Sequence, residues 1–320
     1  MTEEKKTDKT AGHHAKVISF INMKGGVGKT TLCIGLGVCM SEESKVLIID
    51  ADPQFNATQS LIDDYKKKET EDIKRDELKK QKKNHPEWTI DNIDDSEFNF
   101  YNKEILRDDK IDKKTIFRLF RPQADINERF KVPKPSDLIT PLKKNLDLLS
   151  GDLSLVLANT SGVYALIKRI SIFINKNNLK NKYDYILIDC PPTITIYTNS
   201  ALLASDYYII PNRIDRYSIV GIESLQKSVD NLIDNEDKNL NCLGIIYTMV
   251  PSNMPLKQKS IKDNFESKKI VNDLDKFDSV LYENKAIQTG KSGTNPMSYK
   301  LSKESIEAIY SELKIRLNQI

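Results

Sequence analysis

Six short apolar runs punctuate the chain: Val17–Phe20, Val46–Ile49, Leu146–Leu149, Tyr185–Ile188, Tyr207–Ile210 and Leu243–Thr248. Each is hydrophobic almost without interruption, the pattern of a strand covered on both faces rather than one alternating between core and water. The stretches between them carry helical periodicity. Such alternation predicts an α/β fold, a doubly wound and mostly parallel sheet with helices on both faces, whose ligand site lies outside the carboxyl ends of the strands.

The pattern fails between Ile62 and about Lys114, where Tyr65-Lys66-Lys67-Lys68 and Lys79-Lys80-Gln81-Lys82-Lys83 stand among many acids and few apolar residues. This stretch reads as a charged insertion. Within it, Asp72–Lys83 predicts a solvent-facing helix stopped by His85-Pro86. A second loop, Lys131–Ser136, holds two prolines and reads as a turn-rich linker. Residues 1–15 are polar and lysine-rich without the apolar core of a secretory signal, and are expected to form a disordered tail. Residues 16–320 are then a single elaborated domain carrying the insertion at 62–114.

Composition narrows the function classes. Among 320 residues the charged fraction is 30% but the net charge only +3, so any nucleic-acid surface must be local. The four cysteines, Cys33, Cys39, Cys190 and Cys242, form no C-x-x-C pair and sit in apolar runs. They read as small buried thiols of a reduced, cytosolic protein, and not as ligands of an iron–sulfur cluster. His13-His14 reads as polar filler. No apolar segment approaches the roughly 20 residues that a membrane span needs.

The chemistry begins at Ile21-Asn22-Met23-Lys24-Gly25-Gly26-Val27-Gly28-Lys29-Thr30-Thr31, which follows the first apolar run and opens a helical pattern. Three glycines within four positions let backbone N–H groups turn inward around a polyanion, while Lys29 supplies a cation and the Thr30 hydroxyl a Mg²⁺ ligand. The predicted ligand is a nucleoside triphosphate. After the second run, Asp50-Ala51-Asp52-Pro53 puts two carboxylates at a strand end, where one can orient an attacking water. The fourth run ends in Asp189-Cys190-Pro191-Pro192, the Walker B arrangement of a strand closing on an acid that serves Mg²⁺.

The phosphate loop has Met23 where the ordinary pattern requires Gly, and a second lysine, Lys24. In this it resembles the deviant Walker A motif of the ParA/MinD family of ATPases. Asn22–Thr31, Asp50–Thr58 and Asp189–Pro192 are similar to the ParA branch, the plasmid and chromosome partition ATPases. Further similarity lies in Asn145–Gly151, Asn199–Leu202, Ile209–Pro211 with Gly221-Ile222, and Gly244–Met249. The resemblance implies that Lys29 and the amides of Gly25, Gly26, Val27 and Gly28 hold the phosphates of ATP. Thr30 would ligate Mg²⁺, Thr31 would steady the α-phosphate, and Lys24 would reach the nucleotide of a partner subunit. Asp52 would position the water, with Asp50 and Asp189 in the magnesium shell. The Pro211-Asn212 turn and Thr248-Met249 match regions near the base pocket.

The resemblance further implies an ATP-bound homodimer that binds DNA non-specifically, with hydrolysis stimulated by a ParB-like centromere-binding protein. Such a protein is cytoplasmic and nucleoid-associated. Candidate phosphate-contacting lysines are Lys257, Lys259, Lys262, Lys268, Lys269, Lys285 and Lys291. Two departures are the long insertion and the lack of a helix-turn-helix before the loop, which argues against operator-specific repression. A ParA-like ATPase positioning a protein cargo is one alternative. A MinD-like membrane-surface ATPase is another, and would need an amphipathic C-terminal helix for the membrane. Ser305–Leu317 is amphipathic, but Glu307, Glu312 and the lack of Phe or Trp predict that it packs on the core.

Overall fold

A computed structural model describes residues 14–106, 113–121, 130–158, 164–215, 218–289 and 294–319. Eight strands form one sheet in the order β3-β4-β2-β5-β1-β6-β7-β8. They are β1 (Lys16–Phe20), β2 (Val46–Asp50), β3 (Ile139–Lys143), β4 (Leu146–Leu149), β5 (Tyr185–Asp189), β6 (Tyr207–Arg213), β7 (Asn241–Val250) and β8 (Leu281–Tyr282). Every neighbouring pair is parallel except β3 with β4. The six predicted runs are all strands. The two unpredicted ones lie at the sheet's edges, where Pro141 in β3 is tolerated because its missing N–H faces no further strand.

Successive residues of the central strands point to opposite faces and build two cores. Val17, Leu47, Ile49, Ile186 and Ile188 lie in one, Ile18, Phe20, Ile48 and Leu187 in the other. This is why the runs show no polar alternation: neither face meets water.

Helices cover both faces: α1 (Lys29–Met40), α2 (Asn56–Tyr65), α3 (Lys67–Gln81), α4 (Phe117–Phe120), α5 (Leu155–Ala158), α6 (Arg169–Lys176), α7 (Ile196–Ala204), α8 (Ser218–Glu236), α9 (Leu256–Glu266), α10 (Lys269–Asn272), α11 (Lys285–Thr289) and α12 (Lys300–Gln319). In α8 the buried residues Ile222, Leu225, Val229 and Leu232 recur at three- and four-residue spacing and form one apolar stripe. Helix α1 is sandwiched between the sheet and α12. A Cβ at Gly37 would lie 2.5 Å from Ile48 Cδ1, and one at Gly35 2.7 Å from Ile306 Cδ1, so both faces of α1 are thinned for close approach.

The C-terminal helix packs on the core, as expected. Ile306, Ile309, Tyr310, Leu313 and Leu317 of α12 are buried in the core shared with α1, so the apolar stripe is already covered. Among the described residues no helix is long and apolar enough to cross a membrane.

In the charged segment, α3 begins at Lys67, five residues before the predicted helix, and buries no residue. The following chain returns to the body of the fold: a π-helical turn, Tyr101–Leu106, buries Tyr101 and Ile105. The predicted linker Lys131–Ser136 runs into a 3-10 turn, Pro135–Asp137. Apart from His14 and Ala15, the predicted tail lies outside the described residues, as does Lys291.

Candidate functional site

The strand order creates the site. From β1 the chain crosses to β2, leaving a gap that β5 later fills, and β6 joins the other side of β1, so loops diverge at the carboxyl end of β1. Parallel register aligns Asp189 with Phe20 on one side and with Asp50 on the other. Three chain segments far apart in sequence thus end level with one another.

The loop between β1 and α1 has Gly26 at φ 67° and Gly28 at φ 79°, left-handed conformations that favour glycine. A Cβ on Gly25 or Gly26 would meet nothing within 4 Å. At Gly25, where φ is ordinary, neither backbone conformation nor packing within the chain accounts for the missing side chain. The open space there would admit a close-approaching ligand. The loop is braced from behind: the Thr248 hydroxyl donates to Val27 O at 2.6 Å, and Asn22 Nδ2 donates to Pro211 O at 2.9 Å.

Lys29 is only 6% exposed, and its Nζ donates to the Lys24 carbonyl at 3.1 Å, so the ammonium lies within the loop. Burial lowers its pKa, opposed by the carboxylates of Asp189 and Asp52. An incoming polyphosphate would supply the negative charge that this cation lacks.

Asp189 is fully buried at the end of β5 and takes the Thr30 hydroxyl on Oδ2 at 2.7 Å. Its Oδ1 has no hydrogen-bond partner. Burial, reinforced by nearby Asp50, raises its pKa well above the usual carboxylate range. A buried carboxylate with one unsatisfied oxygen, next to a helix-start hydroxyl, fits Mg²⁺ ligated directly or through water. Among the described residues no cluster of three His, Cys, Asp or Glu could cage a metal alone, so such an ion would share its shell with phosphate.

Asp50 plays a different part. Its Oδ2 accepts from the Thr58 amide at 2.8 Å and the Thr58 hydroxyl at 2.7 Å, and its Oδ1 from the Asp52 amide at 3.2 Å. Burial raises its pKa to about 7, and the Thr58 bonds hold it from rising further. Asp50 therefore shapes the loop that carries Asp52. The Asp52 side chain, 7% exposed, accepts from the Gln54 amide at 2.9 Å.

Lys24 does not enter its own loop. Its ammonium pairs with Asp215, while its amide is held by Asn22 Oδ1 at 3.0 Å. Thr31 is half-buried on the first turn of α1.

Pro211 and Asn212 are not a turn, as expected from the sequence, but the continuation of β6. Proline is accommodated because β1 pairs β6 only as far as Ile209. Asn212 is fully buried and its Nδ2 has no partner. Thr248 and Met249 likewise lie within β7, Met249 at φ 52°.

The candidate DNA lysines are less gathered. Lys257, Lys259 and Lys262 lie on α9, Lys268 and Lys269 at the start of α10, and Lys285 on α11. Five of these six are exposed. Lys262 is half-buried, 3.5 Å from Glu266 and over the Tyr247 ring. Sequence reasoning missed Thr58, Gly151, Tyr101 and Asp215 as parts of the site's framework. Thr58 and Gly151 ended the blocks Asp50–Thr58 and Asn145–Gly151 and could have been suspected; Tyr101 and Asp215 carry no local signal.

A family model described as an AAA domain matches residues 15–242. Soj, the sporulation initiation inhibitor protein of Bacillus subtilis, is 27% identical over 249 residues, 78% of each chain. A plasmid partition protein from Borrelia burgdorferi superposes with a TM-score of 0.60 at 21% identity, covering 96% of this chain and all of that one. A McdA–ATP complex from Cyanothece gives 0.65 at 19%, covering 96% and 98%. The match along most of the chain, on a sheet whose β2 and β5 end in Asp50 and Asp189 beside the loop that leads to Lys29, shows that this protein belongs to the ParA/MinD-like family of P-loop ATPases.

Proposed function

We propose that the protein is a DNA-partition ATPase, which hydrolyses Mg-ATP, dimerises around the nucleotide, binds DNA without sequence preference in the dimeric state and releases it when a ParB-like protein stimulates hydrolysis. The observation that carries this reading is the division of labour between two lysines of one loop: Lys29 lies inside the loop and Lys24 outside it on Asp215. A lysine not needed by its own subunit's phosphates is available to another's. The likeness to the chromosome-partitioning ATPase Soj of Treponema pallidum, 25% identical over 248 residues, supports the partition role.

In this reading Lys29 and the Gly25–Gly28 amides bind the β- and γ-phosphates, and Asp52 holds the attacking water in line. Thr30 and Asp189 would hold Mg²⁺, which neutralises charge on the phosphates as the transferring group develops it. Lys24 of one subunit would meet the γ-phosphate of the other, which makes ATP, and not ADP, the signal for closure. Exposed lysines such as Lys257, Lys259, Lys268 and Lys269 need only present charge to a DNA backbone.

Sedimentation with non-specific DNA under ATP, ADP and no nucleotide, repeated across salt, tests the proposal. Binding confined to ATP and falling steeply with salt is expected. Equal binding in all three states contradicts it.

A further inference from the structure

We propose that Tyr101, contributed by the charged insertion, is a positioning residue for hydrolysis: through Gly151 and Phe55 it sets the loop that presents Asp52. The inference rests on the reading of Asp52 as the residue that orients water.

Tyr101 is 9% exposed, and its hydrogen bond and its ring stacking both go to the framework of the site. Its hydroxyl donates to the Gly151 carbonyl at 2.9 Å. Its ring stacks on Phe55, centroids 5.2 Å apart and planes within 9°. Burial, with the charges of Asp152 and Asp50, pushes the phenol far up, so it remains a donor at working pH.

Gly151 transmits the first contact. Its amide donates to Thr58 Oγ1 at 2.8 Å, which leaves the Thr58 proton for Asp50 Oδ2. A Cβ on Gly151 would lie 2.8 Å from Phe55 Cβ and 2.9 Å from Asp50 Cγ, so this backbone touches both ends of the loop. Phe55 transmits the second contact. It has φ 43°, a strained conformation for a non-glycine residue, and its amide closes the turn on Asp52 O at 2.9 Å. The stacked ring of Tyr101 holds Phe55 in that conformation.

The chain just past the insertion grips the same strand end. Thr115 Oγ1 donates to Asp152 at 2.8 Å and the Ile116 amide to Ser150 O at 2.8 Å. Residues 150–152 are thus held by Tyr101 of the insertion and by Thr115 and Ile116 just past it. None of these hydrogen bonds, nor the ring stacking, involves a residue of the phosphate loop, so their loss would move Asp52 without removing phosphate contacts.

Steady-state ATP turnover and mant-ADP binding, measured on the full chain and on Asp52→Ala, Tyr101→Ala and Tyr101→Phe, test the proposal. Tyr101→Ala is expected to lower kcat about tenfold, with KM and the mant-ADP Kd within about twofold of the parent. Tyr101→Phe keeps the stacked ring and loses the hydrogen bond, so an intermediate loss of about threefold is expected, again in kcat alone. Should Tyr101→Ala fail to fold, the Tyr101→Phe split decides by itself. Parental kcat in the folded Tyr101 variants, or kcat and nucleotide affinity falling together, overturns the proposal. Parental turnover in Asp52→Ala instead overturns the reading of the site on which it rests.

Discussion

Thr30 Oγ1 donates to Asp189 Oδ2 at 2.7 Å, tying the first turn of α1 to the end of β5, while the other oxygen of Asp189 is left with no partner in a fully buried position. A polar atom so placed is costly unless something completes it. Replacing Asp189 with Asn should therefore weaken Mg-nucleotide binding about tenfold or more, and leave the metal-free affinity for ADP within a few-fold. Fluorescent ADP titrations with Mg²⁺ and with EDTA make the comparison.

Lys29 lies in the loop, where its ammonium donates to the Lys24 carbonyl and the carboxylates of Asp189 and Asp52 offset its burial only in part. Lys29→Ala should lower nucleotide affinity at least about a hundredfold, because a charge-assisted contact to phosphate is lost in a buried site. It should not lower the thermal midpoint of the nucleotide-free protein, since it removes a buried cation. Differential scanning fluorimetry with and without Mg-ADP reports both effects.

Asp52 is held by the Gln54 amide and makes no contact with Thr30 or Lys29 among the hydrogen bonds of the site. Asp52→Ala should accordingly bind ATP as the parent does and hydrolyse it about a hundredfold or more slowly. Rapid-quench measurement of bound ATP turnover separates the two steps.

Much of the fold was legible because neither face of the central strands meets water. Ile18, Ile48 and Leu187 are as buried as Val17, Leu47 and Ile186, so β1, β2 and β5 stand out as unbroken apolar runs. β3 was not legible, because Pro141 and Lys143 interrupt it and an edge strand needs less apolar character; β8 is two residues long. In the site, Lys29, Thr30, Asp50 and Asp189 could be found because a phosphate loop and strand-terminal acids have fixed places in a parallel sheet. The contact of Tyr101 with Gly151 spans 50 positions, and that of Lys24 with Asp215 spans 191. Neither has a local pattern to betray it. Pro211 and Asn212 were misread as a turn because β6 outruns its neighbour β1.

The thiols give a pH-dependent check on packing. Burial, with Glu307 and Glu43 nearby, raises Cys39 to about 11, and burial raises Cys242 to about 11. A raised thiol pKa means a scarce thiolate at neutrality, so alkylation of both should be slow at pH 7.5 and rise about tenfold per unit until the pH nears that value. Cys33 and Cys190 are fully buried and should stay unmodified in the folded protein. Iodoacetamide labelling read by peptide mass spectrometry at pH 7.5 and 9.5 distinguishes the pairs.

The central claim is that Lys24 serves a second copy of the chain. Its most direct test is the molar mass in solution at saturating Mg-ATP, by light scattering, of the Asp52→Ala protein with and without the further change Lys24→Ala. Twice the single-chain mass with Lys24 present, and a single chain with Lys24→Ala though ADP still binds, is the predicted result. A single chain in both, or a dimer in both, contradicts the account.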